Sequence, residues 1–599
     1  MLKKENVQDI YPLSLMQEGI LFHSLYDRTS QAYFQQVSYR ISGHLDIGLF
    51  EAGWNELLRR HDTLRTAFVY EQTPQPLQVV LKERSVEFTY RDLRPLHPDR
   101  QTAFLKDYQE KDRQRPFHMT NDPLIRVAVL QMEDQRFEII WSFHHILMDG
   151  WCSGIVHEEL LTIYQALTRR AKPDLPPVTS FSHYIRWIEK TDKEAARTYW
   201  QNYLAGYDHL ATIPKEAASN SAQGYLPARL RVKFDARLTS QLNELAGRAQ
   251  VTINTLVQSL WGLLLSRYNG VDDVVFGVIV SGRPPDIPGI DRMIGLFINT
   301  IPLRITLTAT DTLTDLLRRV SREAISSGPN HYHSLAEIQA NHHLKQGLFD
   351  HLMIFENYPL ESVKMPLSGL TISQVEVFEQ TNYDFLIAVS PDRELGFEFN
   401  YNGRVYSPDQ IKRLAGHLEQ LARSAASAPN TPVNRLKMLT NEEKHRLIVD
   451  FNQTEAAYPS DKTITDLFEA QAALTPDQPA LIFEDAQMSY GELNERANYL
   501  AQYLISRQGI QPEERVGLLV DRSFLAVIGL LGILKAGGAY LPIDPGYPQE
   551  RINYMLQDSG CRVLLTEDKY LPPRSSFSVD QVIDLAPLAG RSLDNPVGR

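Results

Sequence analysis

The chain has 599 residues, 43% hydrophobic and 22% charged, a globular composition that excludes disorder for the bulk of it. At about 150 residues per domain, the length predicts roughly four domains or lobes. The net charge of −12 argues against nucleic acid as the main partner, because phosphate backbones are bound by a surplus of Lys and Arg.

Residues 1–10 are polar and read as a short flexible lead. Residues 11–26 carry apolar positions at helical spacing, with Ser14 as N-cap. An amphipathic helix is predicted over 47–60 and a strand from 65 to 70. The Val-, Ile- and Phe-rich runs at 124–132 and 137–143 read as strands, and the second ends in His144-His145. A helix follows at 155–167. Pro173, Pro176 and Pro177 then break the chain between two halves. Helices are predicted at 181–190, 194–204, 240–249 and 253–268. Strands are predicted at 229–234, 273–280, 300–306, 348–355 and 394–400. This mixture predicts two α/β lobes, 11–178 and 179–425. Residues 426–462 read as a linker with a short helix at 441–449. A third region, 463–599, has helices at 464–471, 490–506 and 525–535, and strands at 515–519 and 540–543.

No apolar leader opens the chain, and its longest apolar run, eleven residues at 524–534, falls short of the ~20 needed to span a bilayer. Cys152 and Cys561 are too few for a disulfide framework or a Cys-rich metal site and fit a reducing compartment. The reading is a cytoplasmic multidomain protein with neither a membrane nor a nucleic-acid partner.

The sharpest local feature is Phe143-His144-His145-Ile146-Leu147-Met148-Asp149-Gly150-Trp151. Strand neighbours point to opposite faces, so one histidine alone can enter a given cleft. An imidazole can accept a proton from an ammonium or hydroxyl nucleophile. Asp149-Gly150 signals a turn, and a glycine lets a backbone N–H approach a reacting oxygen. The bland alternative is a pair of histidines bonded at a strand end, with Asp149 capping the turn. No HExxH or Cys pair accompanies them, so no metal site is expected.

His144-His145-x-x-x-Asp149-Gly150 resembles the HHxxxDG signature of nonribosomal peptide synthetase condensation domains. The other ordered motifs of that family have counterparts here. Ser14–Phe22 resembles the first, Arg60-His61-Asp62-Thr63-Leu64-Arg65-Thr66-Ala67-Phe68 the second, Tyr184–Trp187 the fourth and Ile294–Thr300 the fifth. Asn330–Glu337 is a looser match to the sixth, and Leu348–Pro359 matches the seventh. Met488–Leu493 and Leu534–Pro545 resemble the first two motifs of adenylation domains. No Ser/Thr/Gly-rich phosphate loop with a following Lys appears before Arg599, so amino-acid activation is not expected of this chain. It reads as a piece of a longer synthetase.

The resemblance implies a chloramphenicol acetyltransferase-like α/β fold of two lobes in a V, followed by an incomplete N-terminal piece of an α/β adenylation domain. It implies donor and acceptor carrier proteins as partners, each presenting a phosphopantetheine arm, and no cofactor held by the chain itself. Amide formation would centre on His145, which either deprotonates the attacking amine or orients it, with the Gly150 N–H donating to the oxyanion. His144 and Asp149 complete the loop as structural members, Asp149 through an arginine. Arg283 is the first candidate for that arginine. Arg65 is a second, with a structural helix-end role, and Trp151 is a candidate to line the tunnel. The wording of the motifs resembles the D-to-L subclass, which implies an upstream synthetase ending in an epimerisation domain and makes residues 1–10 either an acceptor docking segment or a disordered start. The rival readings are a non-catalytic carrier-docking platform of the same fold, an epimerisation domain, a free coenzyme A-dependent acyltransferase and an amino-acid-activating ligase.

Overall fold

The computed structural model describes residues 3–27, 30–215, 224–344, 347–356, 369–571 and 576–591, and the chain divides into two units, Met1–Phe451 and Asn452–Arg599. The first half of the first unit runs β1 (Val7–Pro12), α1 (Leu15–Tyr26), β2 (Phe34–Gly43), α2 (Ile47–Arg60), β3 (Thr66–Val69), β4 (Leu77–Leu81), β5 (Glu87–Asp92), α3 (Pro98–Gln114), β6 (Ile125–Glu133), β7 (Arg136–His144) and α4 (Gly150–Thr168). Helix α1 starts on a capping box. The Ser14 hydroxyl accepts from the Gln17 N–H, and the Gln17 side chain accepts from the Ser14 N–H. The flexible lead expected over 1–10 is corrected here. Strand β1 pairs with β4, and Asn6 is tied to Glu83, because the alternating Val7, Asp9 and Tyr11 lie along a sheet edge.

The second half runs α5 (Ser182–Ile188), α6 (Lys193–Tyr203), β8 (Pro227–Lys233), α7 (Ala236–Ala249), α8 (Ile253–Asn269), β9 (Asp273–Val280), β10 (Asn299–Thr306), α9 (Leu313–Ser327), α10 (Leu335–Ala340), β11 (Leu352–Phe355), β12 (Leu370–Glu379), β13 (Phe385–Ser390), β14 (Gly396–Asn402), α11 (Pro408–Ser427) and α12 (Asn441–Ile448). Its six-stranded sheet has the order β10-β9-β11-β13-β14-β8. Strand β12 leaves that half and completes the sheet of the first, whose order is β12-β2-β7-β6-β5.

Each sheet has its own core. Trp54 of α2 and Trp141 of β7 are fully buried with rings 5.3 Å apart in the first, and Trp261 of α8 packs on Phe385 of β13 in the second. Each fully buried large apolar side chain contributes about 1.5–3 kcal/mol. A segment following β9 crosses between the cores: Ile294 and Leu296 enter the first, while Ile290, Met293 and Phe297 pack with Tyr11, Phe181 and Tyr184. The crossing begins at Gly282, where φ is +57° and an added Cβ would meet the Phe297 carbonyl oxygen at 1.8 Å, so only glycine fits.

The linker expected from residue 426 begins later. Helix α11 extends to Ser427, Val433 and Leu436 are buried in the second core, and the Val433 carbonyl accepts from Arg267 at 2.7 Å. In the second unit, β15 (Pro479–Phe483) and β16 (Ala486–Ser489) form a hairpin between α13 (Ile464–Leu474) and α14 (Tyr490–Gln508). Then β17 (Arg515–Leu519), α15 (Phe524–Lys535), β18 (Ala539–Ile543), α16 (Gln549–Asp558), β19 (Val563–Thr566), β20 (Gln581–Asp584) and α17 (Ala586–Ala589) build a parallel sheet of order β18-β17-β19-β20. Lys535, buried at the end of α15, pairs with Glu469 and donates to Asn494 at 2.8 Å, holding three helices together. Among the described residues no helix is long and apolar enough to cross a membrane.

Residues 444–464 are exposed throughout, and 453–462 lie in neither helix nor strand. Limited trypsin digestion is therefore expected to cut first at Lys462, read by mass spectrometry. Early cuts between residues 125 and 168 would contradict this division.

Candidate active site

His144 is the last residue of β7 and His145 the first beyond it, and the two side chains enter different environments. Phe143 stacks on Trp141 at 5.0 Å, and His144 next to it packs edge-on against Phe117 at 6.2 Å. The His144 Nδ1 accepts from the Ile146 N–H at 3.2 Å, which puts the ring proton on Nε2, where the Ser24 hydroxyl lies at 3.3 Å. Burial, aided by the neighbouring His145, pushes His144 down to about 3, so it is neutral at physiological pH. It belongs to the packing of the loop.

His145 faces the other way. Its N–H donates to the Tyr33 carbonyl at 2.8 Å, and its ring, in a residue 7% exposed, lines a cavity of about 1030 Å³. Its Nδ1 has no hydrogen-bond partner among the described residues, and its Nε2 lies 3.9 Å from Glu379 Oε1. Gly150 shares the wall as the first residue of the 19-residue α4. The turn expected at Asp149-Gly150 is therefore a helix start. The first N–H groups of a helix lack intrahelical partners and carry the positive end of its dipole, which suits a developing oxyanion. Trp151 does not line this cavity. One residue further round the helix, about 100° on, its indole N–H donates to the Asp291 carbonyl at 3.2 Å.

Asp149 is wholly buried and does not use its carboxylate to cap α4. Oδ1 accepts from Arg283 Nη2 at 3.3 Å and from the Cys152 thiol at 3.3 Å, and Oδ2 accepts from the Phe297 N–H at 3.1 Å. Arg283 also donates to the Ile290 and Met293 carbonyls at 2.5 and 3.0 Å and lies 4.0 Å over the Phe297 ring. Burial alone would lower its guanidinium, but Asp149 and Cys152 outweigh that and raise it. Burial, with Asp149 beside it, pushes Cys152 up to about 12. Arg65 is elsewhere. It donates to the Leu58 carbonyl at 3.2 Å, to Gln8 at 2.7 Å and to the Leu81 carbonyl, joining α2, β1 and β4.

The other motifs support the loop. Gln17 donates to the Ile146 carbonyl at 3.1 Å, Thr63 to the Ile294 carbonyl at 2.9 Å, and His61 meets the buried Glu159 at 2.6 Å. Sequence reasoning missed Glu356 and Glu379, both on the cavity wall. Burial, with Glu379 and Glu398 nearby, pushes Glu356 up to about 7. Glu356 lay inside a recognised motif, but nothing in the pattern marked it as lining a cavity. Asn357, Tyr358 and Pro359 of the seventh motif lie outside the described residues. No group of three His, Cys, Asp or Glu among the described residues is placed to hold a metal ion. The arrangement brings an imidazole and a helix N-terminus to one cavity, which is the equipment for nucleophilic attack on an acyl group.

The family model for the condensation domain matches residues 7–448, and that for the AMP-binding enzyme matches residues 468–592. The chain is 42% identical over 586 residues to gramicidin S synthase 2 of Brevibacillus brevis and 43% identical over 589 residues to tyrocidine synthase 2 of Brevibacillus parabrevis. Each alignment takes in 97% of this chain but 13% and 16% of those relatives, so the chain spans a small part of their length. Among solved structures, a four-domain nonribosomal peptide synthetase bound to AMP and glycine matches 98% of this chain and 45% of that one, with a TM-score of 0.75 at 20% identity. The first condensation domain of the calcium-dependent antibiotic synthetase, in complex with a substrate analogue, matches 73% of this chain and all of that one, with a TM-score of 0.60 at 18% identity. The likeness to these structures is one of fold: the α/β condensation fold expected from the sequence, followed by the start of an adenylation domain.

Asp149→Ala leaves Arg283 buried without its carboxylate and is expected to cost about 3–5 kcal/mol in urea unfolding. Adding Arg283→Met is expected to recover part of that loss; strictly additive costs would show that the two groups act independently. The sign for His144 follows from its depressed value. Above pH 6.5, the ordinary value for histidine, folded and unfolded forms are both neutral and its contribution is fully present. As pH falls from 6.5 toward 3, the unfolded chain protonates first and stability is lost, by up to about 1.4 kcal/mol per pH unit. His331, held down at about 4 by burial, adds in the same direction. His144→Asn should flatten the stability profile between pH 6.5 and 4.5.

Proposed function

The chain belongs to the condensation-domain family of nonribosomal peptide synthetases, amide-forming acyltransferases, and continues into the start of an AMP-binding domain; from that premise we propose that residues 7–448 join a carrier-bound acyl or peptidyl thioester to the α-amine of a carrier-bound L-aminoacyl thioester. The observation that carries this reading is the shared cavity wall of His145 and Gly150. The amine nitrogen attacks the thioester carbonyl, a C–N bond forms, the C–S bond breaks, and the amine proton ends on the released thiol of the donor arm. His145 accepts that proton in passing or holds the amine in line, and Gly150 at the start of α4 stabilises the negative oxygen of the tetrahedral intermediate. Asp149 and Arg283 keep both in register.

The phosphopantetheine arms belong to the partner carriers and reach the cavity as parts of the substrates. The wording of Met16–Gly19, the histidine loop and Gly295–Thr300 supports a donor ending in a D-residue, which would come from an upstream synthetase closed by an epimerisation domain. Two buried free thiols, Cys152 and Cys561, support work in a reducing cytosol.

The test is a reconstituted condensation. A donor carrier loaded with a D-residue and an acceptor carrier loaded with an L-residue are mixed with this chain, and dipeptidyl thioester is followed by mass spectrometry. Product is expected with the D-donor, little with the L-donor, and at least a hundredfold less with His145→Ala at unchanged melting temperature. Equal use of both donors would remove the stereochemical preference, and full activity of His145→Ala would remove the assignment of His145.

A further inference from the structure

The cavity beside His145 is acidic. Among its described lining residues are three carboxylates, Glu18, Glu356 and Glu379, and neither a lysine nor an arginine. Such a wall favours a cationic group over an anionic or neutral one. Of the three, Glu379 approaches the histidine, and strand register is what brings it there. Strand β2 pairs with β7 through Phe34 and His144 and with β12 through Gln35 and Glu379, and just beyond the strand ends the His145 backbone N–H donates to the Tyr33 carbonyl, which brings Tyr33, Gln35, His145 and Glu379 to one face. The face is the cavity wall, since all four line it.

The 3.9 Å between His145 Nε2 and Glu379 Oε1 is too long for a hydrogen bond between them. It is the span across which one nitrogen can serve both. An amine about 2.8 Å from each atom would subtend roughly 90° between them, an angle its N–H donors and lone pair can meet. Among the described residues no second group bonds the His145 Nδ1 and pins the ring from behind. Resting on the condensation reading, we propose that Glu379 is a substrate-binding residue that holds the α-ammonium of the acceptor aminoacyl group against His145, so that the acceptor is selected for its amine before the amine loses its proton. The carboxylate holds the cation in the resting complex, and transfer of one proton to His145 frees the nitrogen lone pair that attacks the donor.

The experiment separates this inference from the reaction it serves. Binding of alanyl-pantetheine amide, a stable analogue of an acceptor arm, is compared by calorimetry with that of its propionyl counterpart, which lacks only the amine. The whole chain is expected to prefer the alanyl compound at least tenfold. Glu379→Gln, nearly isosteric and on a side chain one-third exposed, should keep its melting temperature and reduce that preference to within twofold. Glu356→Gln should retain most of it. An unchanged preference in Glu379→Gln, or none in the unaltered chain, overturns the proposal. If the loaded carriers give dipeptide while Glu379→Gln still discriminates, the anchor alone fails. If no loaded pair gives dipeptide but discrimination is lost in Glu379→Gln, the anchor stands and the condensation reading fails.

Discussion

The geometry of the site depends on one buried ion pair. Asp149 ends the histidine loop and precedes α4, and Arg283 begins the segment that crosses from the second half of the unit to the first. The carboxylate is wholly buried and the guanidinium nearly so, and either would carry a desolvation cost of several kcal/mol alone. Their partners offset most of that cost, although Arg283 Nε has no hydrogen-bond partner among the described residues. The carboxylate takes the guanidinium, a backbone N–H and a thiol, and the guanidinium takes two carbonyls and an aromatic face. Because Phe297 and Gly295 bond to the same aspartate residue, the crossing segment and the start of α4 are fixed as one piece, and Gly150 inherits its position from them. A carboxylate at this position that capped its own helix would leave the arginine unpaired.

A second constraint is where strand β7 ends. Adjacent, chemically identical imidazoles on either side of that end have opposite fates: one is dry, neutral and hydrogen-bonded within the core, the other lines a cavity with its Nδ1 unpartnered among the described residues. The pairing of β2 with β12, and the bond of the His145 backbone N–H to the Tyr33 carbonyl, bring Tyr33 and Glu379 beside the second ring. Lining the cavity and packing the core are thus divided between two neighbouring residues.

The parts of this architecture legible from the chain were those with strong local signals. Helices α2 and α15 and strands β6, β7, β9 and β17 lie within a residue or two of their predicted limits, because apolar periodicity and caps are properties of short windows. Strand β2 was missed because Gln35, Gln36 and Ser38 interrupt its apolar pattern although it lies mid-sheet between two strands. Strand β12 was missed because most of its residues are exposed, and α3 because polar residues dominate its seventeen positions. At the site, the residues themselves marked the histidine loop and its Asp149-Gly150 turn, and family resemblance singled out His145 and Arg283. Trp151, a candidate for the tunnel wall, follows Gly150 by one helical step of about 100° and is not among the residues lining this cavity. Glu379 was out of reach for a different reason: its significance exists only once three strands are in register.

That register carries a consequence for how the protein is made. The Tyr33 hydroxyl meets Asn382 across 349 residues of chain, and β2 finds its second neighbour only in β12. During synthesis from the N-terminus, the first sheet must wait with β2 as a bare edge until residue 379 has left the ribosome. An open edge is a template for foreign strands, and contacts between residues so distant in sequence form slowly. The nascent N-terminal half is therefore the stage most in need of a chaperone, and any shortened version ending before β12 would keep that exposed edge permanently.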